Sequence, residues 1–414
     1  MKFKRKLPAM TRLRVVAILL TIITLMAVST NYGLYYKMTY ILALLLLLSY
    51  GWTWLNGKWV SVSARRNVVA ARAGEWLEER LTVTNRSRAL PVVWMEIYEK
   101  SDMPGHGGEM VISLPRTSYG EWTLRTRCMQ RGKYSLGPLA IVSSDPLGMF
   151  QKSRWFGAPQ PFTVYPSIVS LPRFALPSSD LPGDSTSRQH TQVVTPAAAG
   201  VRDYMPGDSY SRVHWRSTAR TGKLMVKEFE QEESAKVWIV LDMEERVHRG
   251  SGLESSEEYA VTTAASIADK YLQRGLPVGI TAVGNIELNL SPKPGVNQFD
   301  LIMEGLAEIK AEGAVPLAEV LRDNETVFNR YCTLIIVAPG PEGPWLGPVQ
   351  RLSQKRVQTA AVVLDADSFG RGVNGAIDWT SGDSRAGAQF PMCVLAKGDD
   401  LGEALYMEYV GKGV

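Results

Sequence analysis

The chain has 414 residues, and the roughly 350 that follow an apolar N-terminal region are too many for one ordinary domain and enough for two hydrophobic cores. Its formal charge of +5 arises at the start of the chain: eleven of the 46 Lys and Arg residues precede the first acidic residue, Glu75, which leaves 35 basic against 41 acidic residues, a balance of −6. This balance excludes a globally basic surface, so no nucleic-acid partner is expected.

Two apolar runs, residues 13–30 and 38–54, contain no charged residue beyond Arg14 at the edge of the first. As a helix, each run would extend roughly 26 Å, close to the ~30 Å hydrocarbon core of a bilayer. Two buried core helices are the alternative, and a cleaved signal peptide is disfavoured because the second run follows within about ten residues. We predict a transmembrane helical hairpin over residues 1–58.

The positions of the basic residues predict the orientation of this hairpin. The basic residues flanking the two runs are Lys2, Lys4, Arg5, Lys6, Arg12, Arg14, Lys58, Arg65 and Arg66, whereas the connecting loop has only Lys37. By the positive-inside rule, we expect a multi-pass plasma-membrane protein with a cytoplasmic N-terminus and a large cytoplasmic C-terminal region. The flanking cations would contact anionic membrane lipid. Three widely spaced cysteines without CxxC spacing agree with a reducing compartment.

Residues 59–165 alternate between apolar and polar side chains in short runs, such as 80–84 and 92–97, which are separated by turn-forming residues. This pattern predicts a β-sandwich of the immunoglobulin or fibronectin type, built from hairpins with one buried face. Residues 166–199 are rich in Ser, Pro and Gly, and we predict a long loop or linker there.

The segment 200–233 combines charge, turn formers and aromatic residues without hydrophobic periodicity. Its candidate functional residues are Arg202, Tyr204, Pro206, Gly207, Asp208, Arg212, His214, Trp215, Arg216 and Arg220. In one interpretation, the arginines pair with Asp203 and Asp208 and stack on Tyr204 and Trp215, locking the two domains together. In the other, part of the cluster is open to acidic side chains of a partner. Residues 223–231 alternate like a strand, with Leu224, Val226 and Phe229 as candidate buried positions.

From residue 234 to residue 414 the pattern changes to alternating strands and helices, which predicts a three-layer α/β domain with a parallel sheet. A capping box at Ser255–Glu258 predicts the start of a helix that ends near Gly275. The predicted strands are 235–242, 276–283, 332–338, 357–364 and 392–395, and the other predicted helices are 298–311, 317–329 and 401–409.

Three motifs carry a resemblance to a known family: residues 131–138 (RGKYSLGP), residues 145–150 (DPLGMF), and the block 200–220 with its Arg-x-Tyr-x-Pro-Gly-Asp and Arg-x-His-Trp patterns. They resemble the bacterial family called domain of unknown function 58, over roughly residues 59–364 and the paired membrane spans. The resemblance implies a membrane anchor, a β-sandwich and a von Willebrand factor A-like domain. It also implies a genomic neighbourhood with MoxR-type AAA+ ATPases and transglutaminase-like membrane proteins, but no known activity.

Von Willebrand factor A domains hold Mg²⁺ with an Asp-x-Ser-x-Ser motif after the first strand. Here residues 242–246 read Asp-Met-Glu-Glu-Arg, so both serines are missing and Arg246 brings a cation. Asp242 and Glu244 remain weak candidates, and Asp365 and Asp367 are as easily explained by a helix-capping turn. We expect no metal or other cofactor, with Mg²⁺ as the alternative.

Catalysis by Asp208 and His214, with a nearby serine as nucleophile, is the second alternative, but the spacing has low specificity. Residues 219–223 superficially resemble a phosphate-binding loop, yet Ser217 and Leu224 replace residues that such a loop needs. We therefore expect a scaffold or adaptor without enzymatic activity that partners a MoxR-type AAA+ ATPase. The alternative is a divalent-metal-dependent binding protein or a hydrolase.

Overall fold

The computed structural model describes residues 9–175, 198–205, 210–229, 236–340, 343–370 and 390–405. The chain divides into two compact units. The first comprises Met1–Ser167 and Met303–Glu308, and the second comprises Ile168–Ile302 and Ile309–Val414.

The first unit begins with two long apolar helices, α1 (Ala9–Thr30) and α2 (Gly33–Asn56). Both are long and apolar enough to cross a membrane, and little of either is buried inside the protein, unlike the core helices of a soluble domain. Thr21 and Thr24 donate their hydroxyls to carbonyls one turn earlier, which satisfies these polar groups within the helix. The two predicted apolar helices are therefore confirmed as helices.

Residues 60–165 of the first unit are built from strands. They are β1 (Val60–Arg66), β2 (Ala70–Arg72), β3 (Trp76–Asn85), β4 (Val92–Ser101), β5 (Glu109–Leu114), β6 (Ser118–Arg127), β7 (Gly132–Ser144), β8 (Gln151–Phe156) and β9 (Gln160–Tyr165). One sheet has the order β1-β3-β6, and the other has the order β2-β9-β7-β4-β5, with β8 paired to β7. Alternate residues such as Leu81 and Val83 from the first sheet join Met95, Ile97 and Ile141 from the second in one buried cluster, so the sheets pack face to face.

The elements that follow Ile168 in the chain alternate between strands and helices. The strands are β10 (Ala198–Asp203), β11 (Met225–Phe229), β12 (Lys236–Leu241), β13 (Val278–Val283), β14 (Glu287–Lys293), β15 (Cys332–Pro339), β16 (Gln358–Leu364) and β17 (Met392–Leu395). The helices are α3 (Trp215–Thr221), α4 (Ser256–Gln273), α5 (Val296–Glu308), α6 (Leu317–Asp323), α7 (Leu346–Gln354) and α8 (Leu401–Ala404).

The main sheet has the order β14-β13-β12-β15-β16-β17 and is parallel except for β14. Its central strands are buried on both faces, as their continuous apolar sequences predict. Trp238 and Val240 pack with α6 and α7 on one face. The alternate residues Val237, Ile239 and Leu241 are also buried, and α4 contacts the same strands, which gives an α/β arrangement of three layers.

Several elements of this unit differ from the sequence-based expectation, including the predicted helix 401–409, which ends at Ala404. The helix predicted over 317–329 ends at Asp323, where the side-chain amide of Asn324 donates to the Val320 carbonyl at 2.9 Å. Strand β14 was not predicted; it lies at the sheet edge, contains Pro292, and has Leu288 as the one buried residue among its seven. The first residues of the predicted linker are packed against α4. Phe174 is buried against Tyr271, and Lys270 Nζ contacts the carbonyls of Leu171 and Phe174.

Candidate functional site

The predicted Arg-rich block forms a hairpin of β10 and β11 with helix α3 inserted between the strands. Arg202 lies opposite Val226, and Asp203 lies opposite Met225. His214 is the N-cap of α3: its Nδ1 accepts a hydrogen bond from the Ser217 N–H at 3.3 Å and lies 2.8 Å from the Ser217 hydroxyl. The imidazole of His214 is therefore engaged in holding the start of the helix.

This hairpin exposes several large side chains that soluble proteins usually bury. Met205, Tyr210 and Trp215 are 64%, 66% and 67% exposed. Arg216 and Arg220 are also exposed and form no ion pair with any described residue. We call these five residues the α3 surface. It combines aromatic, thioether and guanidinium groups, which are enriched at the centres of protein interfaces.

The predicted internal network of the block lies only partly within the described residues. Arg202 donates from Nη1 to the Asp203 carbonyl at 3.1 Å, and Tyr204 stacks on Tyr210 with 5.6 Å between ring centroids. Arg216 is exposed on α3 and forms no ion pair with the described residues. Pro206, Gly207, Asp208 and the side chain of Arg212 lie outside the described residues, so the Asp208–His214 pair does too.

Two further predictions for the block concern its buried positions and its glycine. Val226 is buried beside Val213, as predicted, but Leu224 is 38% exposed because it precedes β11 and lies outside the ladder. The side chain of Phe229 lies outside the described part. Gly222 has a φ of 73° and ends α3 as its C-cap, so residues 219–223 close a helix instead of opening one as a phosphate-binding loop does.

The weak metal candidates lie at the carboxyl end of the main sheet. Asp242 follows β12, is buried, and accepts a hydrogen bond from the Glu244 N–H at 3.1 Å. Burial raises the pKa of Asp242 to about 6, although that hydrogen bond opposes the change. Asp365 follows β16 and is also buried. His248 Nε2 lies 2.9 Å from the Asp242 carbonyl, so this histidine contacts the backbone of the site.

A buried cluster in the first unit was missed by sequence reasoning. Arg66 Nη2 lies 2.9 Å from Glu79 Oε1 and also contacts Glu99 Oε1, while His106 Nε2 lies 3.1 Å from Glu99 Oε2 and 3.5 Å from Glu79 Oε2. His106 Nδ1 lies 3.0 Å from the Thr126 hydroxyl. The signal was present in the alternation of the strands, since Glu79 shares the inward face of β3 with its buried neighbours Leu77 and Leu81.

The charges of this cluster balance through a proton on His106. Burial alone would lower the pKa of His106, but hydrogen bonds to Glu79 and Glu99, together with their charges, raise it to about 9. Burial raises the pKa of Glu79, whereas for Glu99 the hydrogen bonds outweigh burial and lower the pKa. Glu79, Glu99 and His106 are also close enough to share a metal ion, but Arg66 already neutralises one carboxylate. A protonated His106 neutralises the second carboxylate, so the charges balance without a metal ion.

The described residues define a class of protein in which two apolar helices precede a unit of packed β-sheets and an α/β unit, with an exposed aromatic and basic surface on a hairpin. Residues 200–368 match the model of the family described as protein of unknown function DUF58, so the chain carries a DUF58 family domain. The motifs at 131–138 and 145–150 lie outside this matched segment, which is shorter than the resemblance suggested.

Among curated proteins, the chain is 28% identical over 200 residues to the uncharacterized protein YeaD of Bacillus subtilis strain 168. The match covers 47% of this chain and 46% of YeaD, so the chain spans about half the length of this relative. Proximal thread matrix protein 1 from the mussel byssus is 13% identical over 32% of this chain and 37% of that chain, with a TM-score of 0.25. Spo0M, a sporulation control protein from Bacillus subtilis, is 12% identical over 26% and 50%, with a TM-score of 0.18. Likenesses this weak carry no argument about fold.

Proposed function

We propose that the protein is a membrane-anchored, cytosol-facing scaffold or adaptor that binds a protein partner through the α3 surface. The observation that carries this proposal is the exposure of Trp215, Tyr210 and Met205 beside two arginines on one hairpin. Exposed apolar patches rimmed by polar residues mark interaction sites. The α3 surface also falls within the segment that matches the DUF58 model.

The chemistry of this surface favours an acidic partner. Arg216 and Arg220 would pair with carboxylates, and Trp215 would supply the apolar anchor between them. The family resemblance suggests a MoxR-type AAA+ ATPase as that partner. Such a partner would supply the ATP hydrolysis, because residues 219–223 do not form a phosphate-binding loop. No enzymatic activity of the chain itself is expected.

The anchor in this proposal is the hairpin of α1 and α2 in the plasma membrane. The side chain of Asn56, at the end of α2, donates to the Val93 carbonyl at 2.9 Å and accepts from the Val93 N–H at 3.2 Å. These two hydrogen bonds tie the helix directly to the β-sheets. We place both helix ends that carry basic residues, and all that follows α2, in the cytoplasm. The immunoglobulin-like and von Willebrand factor A-like assignments of the two units belong to the same proposal.

Affinity capture tests the partner. The detergent-solubilised full-length protein is compared with Arg216→Glu/Arg220→Glu and with the control Arg322→Glu/Arg351→Glu, which makes the same charge change at exposed positions on α6 and α7. Captured proteins are identified by mass spectrometry in ATP and in ADP. An AAA+ ATPase retained by the parent and the control, but lost from the α3 variant, supports the proposal. Equal retention by all three proteins would remove the α3 surface from the contact.

A divalent-metal-dependent binding protein is the second candidate, because Asp242 is a buried carboxylate at the carboxyl end of β12, where von Willebrand factor A-like domains bind Mg²⁺. Burial raises the pKa of Asp242, and a bound cation would offset that cost. Mg²⁺ should then raise the melting temperature of the parent and not of Asp242→Asn. If Mg²⁺ leaves the melting temperature of the parent unchanged, that result argues against this candidate.

A further inference from the structure

A cavity of about 260 Å³ lies where the end of α2 meets the β7–β8 hairpin. The residues that matter for its chemistry are Thr53, Trp54, Lys58, Ser143, Lys152 and Arg154. All of them belong to the first unit. The cavity is smaller than a typical drug-sized pocket but large enough for a phosphate and its substituents.

The cavity is basic. Lys58, Lys152 and Arg154 line it, and none of the described lining residues is acidic. Arg154 is held in place because its Nη1 donates to the Gly57 carbonyl at 2.7 Å and to the Lys58 carbonyl at 3.1 Å. A guanidinium fixed in this way presents its other N–H groups without further ordering, which suits a phosphate oxygen.

Ser143 supplies an independent observation that points to a ligand. The residue is 1% exposed, and its hydroxyl has no hydrogen-bond partner among the described residues, although it lines the cavity. Buried hydroxyls in folded proteins nearly always have a partner, since leaving one unpaired costs free energy. The Thr53 hydroxyl is already used, because it donates to the Ser49 carbonyl at 3.0 Å.

The family-like motif at 145–150 fixes the cavity beside the apolar helices. Asp145 accepts hydrogen bonds from the Phe150 N–H at 2.6 Å and the Leu147 N–H at 3.1 Å, which closes the β7–β8 turn. The Phe150 ring packs edge-on against Tyr50 of α2 at 5.6 Å. Gly148 has a φ of 67°, and a Cβ there would come within 2.7 Å of Arg12 Nη1, so the turn also lies against the start of α1.

The surroundings of the cavity resemble a membrane–water interface. Trp54 and Trp59 are exposed, and Lys58 Nζ lies 4.4 Å from the centre of the Trp54 ring and 5.2 Å from that of the Trp59 ring. Tryptophan and lysine at the end of an apolar helix are typical of the headgroup region. Basic pockets at this depth on the cytoplasmic side bind anionic headgroups.

We propose that this cavity binds the phosphate headgroup of an anionic phospholipid in the cytoplasmic leaflet, with Ser143, Lys58, Lys152 and Arg154 as its ligands. The inference rests on the proposed membrane anchoring and adds to it a specific lipid site. One headgroup oxygen would accept from the Ser143 hydroxyl, and the three cations would neutralise the phosphate. The bound lipid would bridge α2 and the β7–β8 hairpin.

Native mass spectrometry of the detergent-purified full-length chain, titrated with phosphatidylglycerol, phosphatidylcholine or inorganic phosphate, tests the proposal. We expect one tightly held phosphatidylglycerol. At about fivefold per lysine, Lys58→Gln/Lys152→Gln should weaken binding about 25-fold. The control Lys100→Gln/Arg116→Gln removes the same charge from exposed residues that do not line the cavity and should leave binding unchanged. Ser143→Ala should weaken binding several-fold without lowering the melting temperature, since it removes an unpaired hydroxyl.

Equal binding of phosphatidylcholine, or equal weakening in the control, would overturn the lipid site. Inorganic phosphate bound as tightly as phosphatidylglycerol would overturn the choice of a lipid. Carbonate extraction of native membranes reports on anchoring separately. A chain that resists extraction but shows no lipid preference contradicts only this inference, whereas a chain released by carbonate contradicts the anchoring itself.

Discussion

His106→Gln tests whether the buried cluster of Arg66, Glu79, Glu99 and His106 makes the stability of the first unit depend on pH. The rise in the pKa of His106 from 6.5 to about 9 corresponds to about 3 kcal/mol of folding free energy, at about 1.4 kcal/mol for each tenfold change in proton affinity. A group with a higher pKa in the folded state stabilises that state fully below the unfolded-state pKa, and this stabilisation is lost as the pH rises through the folded-state pKa. The contribution should therefore be complete below about pH 6 and fall below about 1 kcal/mol at about pH 9.

The variant carries no charge at position 106, so Glu79 and Glu99 face Arg66 alone. We expect it to be about 3 kcal/mol less stable than the parent at about pH 6 and nearly equal to it at about pH 9.5. Urea titration with thiol alkylation, read peptide by peptide, measures this in the full-length chain. Cys128 is buried in the first unit, and Cys332 and Cys393 are buried in the second, so they serve as internal controls.

A difference between parent and variant that stays the same at both pH values would mean that His106 is neutral in the folded protein, and the reasoning from the charges of the cluster would be wrong. Loss of Cys128 protection on adding a chelator would point instead to a metal ion bound by Glu79, Glu99 and His106. Unchanged protection with chelator, together with convergence at high pH, would support the protonated cluster.

Two further substitutions test features of each unit. Asp242→Asn without Mg²⁺ should stabilise the α/β unit by up to about 3 kcal/mol at about pH 7. The reason is that the pKa of Asp242 is raised in the folded protein, so its ionised form costs stability as the pH rises through about 6. Cys332 labelling in urea measures this change, and a destabilised variant would contradict it. Asn56→Ala should lower the stability of the first unit by about 1 to 3 kcal/mol, because both Val93 backbone groups lose their partner. Asn67→Ala, at an exposed position, is its control, and equal loss in both variants by Cys128 labelling would refute the role of Asn56.

The elements of the α/β unit were predictable because strongly apolar runs such as that of β12 leave few alternatives, and Ser255 caps α4 through the Glu258 N–H as its spacing predicts. The end of α6 was not predictable in the same way. At this end, both the backbone N–H and the side-chain amide of Asn324 donate to carbonyls of the last turn. Hydrophobic periodicity does not report such hydrogen bonds.

The candidate site, too, was predictable from the sequence only in part. The sequence pointed to the Arg-rich block by composition, but the exposure of Trp215 and Arg216 depends on which face of a short helix is turned outward. The buried cluster joins residues from β1, β3 and β4 with His106, and contacts between residues so far apart in the chain cannot be read from local patterns. The only sign of the cluster in the sequence is a charged residue at an inward strand position, such as Glu79 on β3. Until the buried face of the strand is known, Glu79 looks like an ordinary surface glutamate.

The attachment of α2 to the β-sheets has a consequence for motion. Only three residues separate Asn56 from Val60, and the Asn56 amide is bonded to the strand backbone, so the first unit has no hinge at the end of α2. In a bilayer it would rotate with its helices, at the slow rate set by lipid viscosity, instead of tumbling as a tethered domain does. Encounters with other membrane-bound proteins would then be confined to lateral diffusion in a plane, with the first unit always presenting the same height and tilt to whatever it meets.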